Sequence, residues 1–301
     1  MPLITSLLAL AGAITLAADA PIPASINGQP VALQLATGNI DRVVLPAEQA
    51  AALGLKPAFL MGKANVRLGG TRVLAGRNNV ASLAVAGASV KQRVMWFERS
   101  DGLAPPASIG PAALPQDDIT ITLGGPGGTR LSLPLIGGTD SALQAGVALR
   151  NGASRILFSL PLDVQSRQRL PLATAATGAD LAAALGGHFT GDVWDEDVLL
   201  GITRPVRKLV LDQPLVFGPL QFRELAVRVR DRRDAMGTIS AGQQLPPSDD
   251  DDPSEIVVAA DAPHKRPVVR SITLGRLQLA GCASIRFDKP ARQLTLDCAA
   301  P

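Results

Sequence analysis

Short apolar runs that alternate with polar residues, broken every few positions by Gly, Pro or Asn, dominate the chain. This is the period of strands and not of amphipathic helices, and it predicts a mostly β protein. Residues 22–37 (IPASINGQPVALQLAT) predict a strand, an Asn27-Gly28 tight turn and a second strand, because Asn-Gly accepts the positive φ values that a two-residue hairpin turn needs. Further strands are predicted at 64–68, 80–85, 89–97 and 119–123, with Gly124-Gly125-Pro126-Gly127-Gly128 as a hairpin tip. The second half repeats the plan at 155–162, 169–172, 207–211, 215–217 and 224–229, before a C-terminal hairpin. Only 46–53 and 179–185 are Ala-rich enough to predict helices.

Two segments, LATGNIDRVVLPAEQAAALG from Leu35 and LATAATGADLAAALG from Leu172, share an apolar strand, a Thr/Gly loop and an Ala-rich helix ending at Gly. An internal duplication is the economical explanation. It divides the chain into an N-terminal segment 1–20, a first lobe 21–136, a linker 137–150 and a second lobe 151–301. Residues 243–255 (QQLPPSDDDDPSE) form an acidic insertion in that second lobe, where adjacent carboxylates repel and Pro denies regular structure.

The 301 residues suffice for two domains, at roughly 150 residues each. With seven Phe, two Trp and no Tyr, the cores are aliphatic and base-stacking platforms are lacking. A net charge of +3 gives no strong basic field, so nucleic acid is excluded as a partner class. Two Cys and two His, without CxxC or HxxxH spacing, point to no metal site and no cofactor.

From Leu3 to Ala18 the chain is uncharged and ends at Asp19 and Pro21. The run is shorter than the ~20 residues of a membrane span and matches a signal peptide, with small residues at Ala17, Ala18 and Ala20 as cleavage points. An uncleaved anchor or a buried N-terminal helix is the other reading. No later stretch spans a membrane, so an exported protein, periplasmic or secreted, is expected. Cys282 and Cys298 fit that compartment. They flank two alternating runs around Asp288-Lys289-Pro290-Ala291, and a hairpin centred on Pro290 sets them opposite one another as a disulfide.

The layout of hairpin, short loop and helix ending in Ala-Leu-Gly resembles the retropepsin-like aspartic proteases, in which each β lobe contributes an Asp-Thr-Gly loop. INGQPVALQLATG is similar to the family's opening hairpin, VVLPAEQAAALGL to its next strand and helix, and SDGLAPPASIGPAALPQDDITITL to its lobe-closing segment. VFGPLQFRELAVRVRD and ITLGRLQLAGCASIRFDKPARQLTL resemble its late hairpin and terminal strands, so the resemblance covers most of 22–298. It implies an acid-protease fold of two similar β-barrel lobes with a cleft between them.

Where the family carries Asp-Thr-Gly, this chain has Ala36-Thr37-Gly38 and, as the best second match, Ala173-Thr174-Ala175. An alternative register, Ala176-Thr177-Gly178, also lacks Asp. The chemistry needs one ionised carboxylate to take a proton from water and one protonated carboxyl to polarise the scissile carbonyl. The resemblance therefore implies a protease fold without its catalytic pair: Ala36 and Ala173 on the cleft floor, Thr37, Gly38 and Thr174 bracing it, and an extended polypeptide held by strand addition. Asp41 and Asp180 are the candidate substitutes, and helix capping is the plainer role for each. The alternatives are an endopeptidase using such non-standard carboxylates, or a structural envelope protein whose partner is another envelope protein.

Other chemistry is thinner. The Gly124–Gly128 turn lacks the Lys-Ser/Thr and helix of a phosphate loop, and Asp249–Asp252 lacks spaced calcium ligands. Ser240 sits in a loop one residue too long for a nucleophile elbow. His188 and His264 have no neighbouring nucleophile, and Arg223–Arg233 alternates as a half-buried strand, with a polyanion site as the sharper alternative.

Overall fold

The computed structural model describes residues 12–38, 42–69, 72–97, 107–136, 144–151, 154–199, 202–229 and 269–300. The first half holds β1 (Ala13–Ala17), β2 (Ile22–Ile26), β3 (Gln29–Leu35), β4 (Val43–Pro46), α1 (Ala47–Ala52), β5 (Lys63–Gly69), β6 (Arg72–Val85), β7 (Ala88–Phe97), β8 (Ser108–Ile109) and β9 (Asp118–Thr122). After it come β10 (Thr129–Ile136), β11 (Gln144–Asn151), β12 (Ser154–Leu160), β13 (Leu162–Asp163), β14 (Leu172–Ala173), α2 (Ala175–Leu185), β15 (Gly187–Leu199), β16 (Ile202–Phe217), β17 (Leu220–Arg228), β18 (Ile272–Gly275), β19 (Cys282–Asp288) and β20 (Gln293–Cys298). The protein is mostly β, as its alternation predicts.

Three sheets carry the architecture. The first runs β2-β3-β8-β4-β7-β6-β5, and an extra β2–β6 pairing closes six of its strands into a barrel. Its opening hairpin turns at Asn27 and Gly28, whose φ values are 50° and 82°, as the dipeptide predicts. The second sheet, β13-β18-β14-β17-β16-β15, is open. The third, β1-β9-β19-β20-β10-β11-β12, draws strands from the beginning, middle and end of the chain. One contiguous apolar core joins all three, from Ala18 to Cys298. Phe158 of β12 meets Phe217 of β16 at 5.6 Å, and Phe217 meets Phe222 of β17 at 6.3 Å.

Several expectations change. Gly124–Gly128 is not a hairpin tip: β9 and β10 do not pair, and the segment crosses over β19 and β20. Residues 144–150 of the expected linker are strand β11, paired along its length with β12; residues 137–143 lie outside the described residues. Of 169–172 only Leu172 is strand, and 207–217 belong to one long strand with a register shift between Val210 and Leu215. Asp41, Ser240, His264 and the insertion 243–255 also lie outside the described residues.

The apolar N-terminal run is built into the third sheet from Ala13 onward. β1 lies parallel to β9, Ala18 is buried, the Ala18 N–H donates to the Thr122 carbonyl at 3.1 Å, and Asp19 pairs with Arg276 through two contacts. The expected cleavage points therefore fall at the end of a strand and in the turn that follows it. Among the described residues no helix is long and apolar enough to cross a membrane.

Cys282 and Cys298 form a disulfide. The hairpin is not centred on Pro290, however: Ile285 faces Leu296 and Asp288 faces Gln293, a register one residue off. A bulge at Ala283 brings the two cysteines back into opposition. On the neighbouring strand the Arg286 guanidinium grips Asp118 at 2.8 and 2.6 Å, and that hydrogen bonding holds the Asp118 carboxyl below its ordinary range. Replacing both cysteines by Ser should lower stability by about 2–3 kcal/mol, the loop-closure value reduced by the hairpin's own persistence. The urea midpoint of unfolding reads it, and an unchanged midpoint would contradict a structural role for the bond.

Candidate functional site

Two turns meet at one place in the molecule, and each follows an equivalent strand. In the barrel, β3 runs parallel to β8, with Leu35 opposite Ile109, and continues into Ala36-Thr37-Gly38. In the open sheet, β13 runs parallel to β18, with Leu162 opposite Leu274, and continues into Asp163-Val164-Gln165. β4 lies antiparallel to β8 just as β14 lies antiparallel to β18, and α1 and α2 follow at nearly the same distance from the turns. The two arrangements share this pairing pattern with Asp163 as the counterpart of Ala36, so the expected correspondence of Leu35-Ala36 with Leu172-Ala173 does not hold.

Ala173-Thr174-Ala175, the expected second motif, is elsewhere. Ala173 and Ala175 are fully buried, and Thr174 caps α2: its Oγ1 accepts from the Thr177 N–H and shares a 2.7 Å hydrogen bond with the Thr177 hydroxyl. Helix α2 starts four residues earlier than its Ala content predicts, because Thr174 supplies the N-cap that the composition conceals. Ala176-Thr177-Gly178 lies inside that helix. Asp180 is therefore not a cap; its carboxylate accepts from the Arg270 Nε–H at 2.5 Å. His188 opens β15 opposite Val210, exposed and in a strand, and of Arg223–Arg233 the described part is strand β17 and Val229.

Contact between the two turns is direct. The Val164 N–H donates to Thr37 Oγ1 at 3.1 Å across 127 positions of sequence, with Thr37 and Val164 both buried. Gly38 faces the Asp163 side chain so closely that a Cβ built on it would lie 2.7 Å from Asp163 Cβ. Only glycine permits that approach. Asp163 Oδ1 accepts from the Gln165 and Ser166 N–H groups at 3.1 and 3.2 Å, which fixes the carboxyl over its own turn. Burial raises the Asp163 pKa, the two backbone hydrogen bonds oppose that, and the charge of Asp197 adds to the rise.

A cavity of about 730 Å³ opens beside these turns, lined by Gln34 and Leu35 from the barrel, by Val164, Gln165 and Arg167 from the other turn, and by the paired Asp19 and Arg276. Gln165 also reaches the N-terminal segment, its Nε2 donating to the Ala18 carbonyl at 2.9 Å. None of Ala36, Thr37, Gly38 and Asp163 lines this space, and Ala173 and Thr174 do not either; the turns reach it through Leu35, Val164 and Gln165. Chemically, the described residues of the two turns offer one carboxyl with a raised pKa and a methyl group at the equivalent position, and the cavity beside them offers two amides, two cations and the Asp19 carboxylate.

No family model and no curated protein matches the chain. Among solved structures it is similar to EIAV protease complexed with an inhibitor, at 20% identity and a TM-score of 0.23, over 30% of this chain and 79% of that one. A likeness of that size brings no activity to this chain. The class the structure defines is a mostly β protein with a closed six-strand barrel.

Asp163 sets a measurable pH dependence. A carboxyl whose folded pKa lies above its unfolded value contributes stability that is complete below the unfolded value, about 3.9, and is lost as pH rises through the folded one. Asn at this position keeps an oxygen for both backbone donors and removes the charge. Asp163→Asn should therefore melt above the wild type at neutral pH and level with it at about pH 3; equal melting at both would contradict the raised pKa. Thr37→Val should cost about 1–3 kcal/mol by leaving the Val164 N–H buried and unpaired. Gly38→Ala should destabilise in a way that Asp163→Gly relieves, and additive effects in that double-mutant cycle would refute the contact.

Proposed function

We propose that this chain is an exported, non-proteolytic protein on an aspartic-protease-like frame, which holds an extended polypeptide beside its paired turns. The observation that carries the proposal is the inequality of the two turns: Asp163 presents a carboxyl where Ala36 presents a methyl group. Water-mediated peptide hydrolysis of the aspartic type needs two carboxyls sharing a proton. One of them alone loses the split in pKa values that makes an acid and a base of the pair.

Support for an extended ligand comes from the sheet edge. β13, which carries Asp163, is the outermost strand of the open sheet, and the cavity runs alongside its following turn. An edge strand offers main-chain groups to a peptide, and neighbouring amides fix its direction. Export is supported by the apolar start of the chain and by the disulfide. Cleavage after Ala20 would remove β1 and the Asp19 partner of Arg276, so the N-terminal sequence of the exported protein reports whether β1 is retained.

Incubating the chain with an unfolded, fluorescently labelled polypeptide from acidic to neutral pH should raise anisotropy without producing fragments. Ala36→Asp should add acid-range cleavage, since general acid–base assistance is typically worth about 10²–10⁴-fold. Cleavage by the wild type that disappears in Asp163→Asn would overturn the proposal in favour of an enzyme working with one standard carboxyl. Absence of both binding and cleavage would overturn it in favour of a structural role.

A further inference from the structure

The barrel carries a second feature, independent of the paired turns. Between α1 and β5 the chain forms a loop whose tip, Phe59-Leu60-Met61, is 98%, 88% and 71% exposed. Three consecutive large apolar side chains turned out to water are a poor arrangement for an isolated protein and mark an interaction site. The loop is tied down from below. The Ala58 N–H donates to the Asn78 carbonyl at 3.0 Å and the Asn78 N–H to the Gly62 carbonyl at 2.9 Å. The buried Asn78 amide donates to the Met61 and Lys63 carbonyls, each at 3.0 Å, and Asn79 Nδ2 to the Lys56 carbonyl at 2.7 Å. Two asparagines of β6 thus hold both ends of the loop while its tip projects.

Along the sequence on both sides of the tip the charge is of one sign. From Gln49 to Phe97 the sequence contains no Asp or Glu and seven Lys or Arg. Lys56 and Lys63, both exposed, flank the tip on either side, and Arg77 lies opposite Lys63 in the β5–β6 ladder. An apolar peg flanked by cations matches the layering of an anionic bilayer surface, with hydrocarbon at the centre and negative headgroups at the depth of the flanking charges. A protein groove would have to supply a pocket for three side chains in succession and an acidic rim, whereas a lipid leaflet supplies both without complementary shape.

We propose that the Phe59-Leu60-Met61 loop docks the barrel onto an anionic phospholipid surface, the three side chains entering the leaflet and Lys56 and Lys63 meeting the headgroups. The test is co-sedimentation of the full chain with vesicles of phosphatidylcholine alone and of phosphatidylcholine with phosphatidylglycerol. The expected result is binding only to the anionic vesicles, weakened by added salt. It should fall about tenfold or more in Lys56→Glu/Lys63→Glu and be lost in Phe59→Ser/Leu60→Ser. Because the substituted side chains are exposed, the thermal melting of both variants should match the wild type, which separates lost docking from lost folding. Absence of vesicle binding, equal binding to both lipids, or binding that survives Phe59→Ser/Leu60→Ser would overturn the proposal. So would wild-type self-association that the Phe59→Ser/Leu60→Ser variant abolishes, since a second copy would then be the occupant.

Discussion

The hydrogen bond from the Val164 N–H to Thr37 Oγ1 is the contact on which the candidate site depends. It joins a turn that belongs to the closed barrel to one that belongs to the open sheet. It is buried, so neither group can turn to water without separating the two sheets locally. Gly38 acts with it: the missing Cβ lets the Asp163 side chain lie against the barrel's turn. With these two positions fixed, the carboxyl, the Ala36 methyl and the neighbouring cavity have defined places.

The third sheet makes that contact sustainable. Its strands come from residues as far apart as Ala13 and Cys298, and β9, β19, β20 and β10 lie side by side in its centre. Closing so many long loops is entropically costly. The disulfide across the β19–β20 hairpin and the Arg286–Asp118 pair fasten the middle of the sheet, while β1 and the Asp19–Arg276 pair fasten its edge beside the cavity. The frame and the site are thereby coupled through Ala18, whose carbonyl accepts from Gln165.

Much of the fold was legible in the sequence, because strand alternation and Asn-Gly turn chemistry act locally. The opening hairpin, the two helices and the cysteine pairing all followed from short windows, although the bulge at Ala283 was needed to correct the hairpin register. The second turn was not legible by composition. Leu172-Ala-Thr mimics Leu35-Ala-Thr in letters, yet Thr174 is spent on capping a helix. The informative signal was the spacing to that helix: Leu162-Asp163 ends an apolar strand at nearly the distance from α2 that Leu35-Ala36 keeps from α1. The role of β1 was hidden for a different reason, since an apolar run rich in small residues satisfies an export signal and a half-exposed edge strand equally well.

Among the described residues the paired turns hold a single carboxyl and not a proton-sharing pair. Two interacting acids lose their protons in two steps that belong to the pair, whereas a lone buried acid titrates once. Following the side-chain carboxyl carbon of Asp163 by NMR across the acidic range measures this directly. A single transition, displaced above the ordinary aspartate range in the direction that its burial dictates, is the result expected here. Two transitions at Asp163, mirrored at a carboxyl other than Asp197, whose charge already acts on it, would show that another residue completes a catalytic pair and would contradict the account.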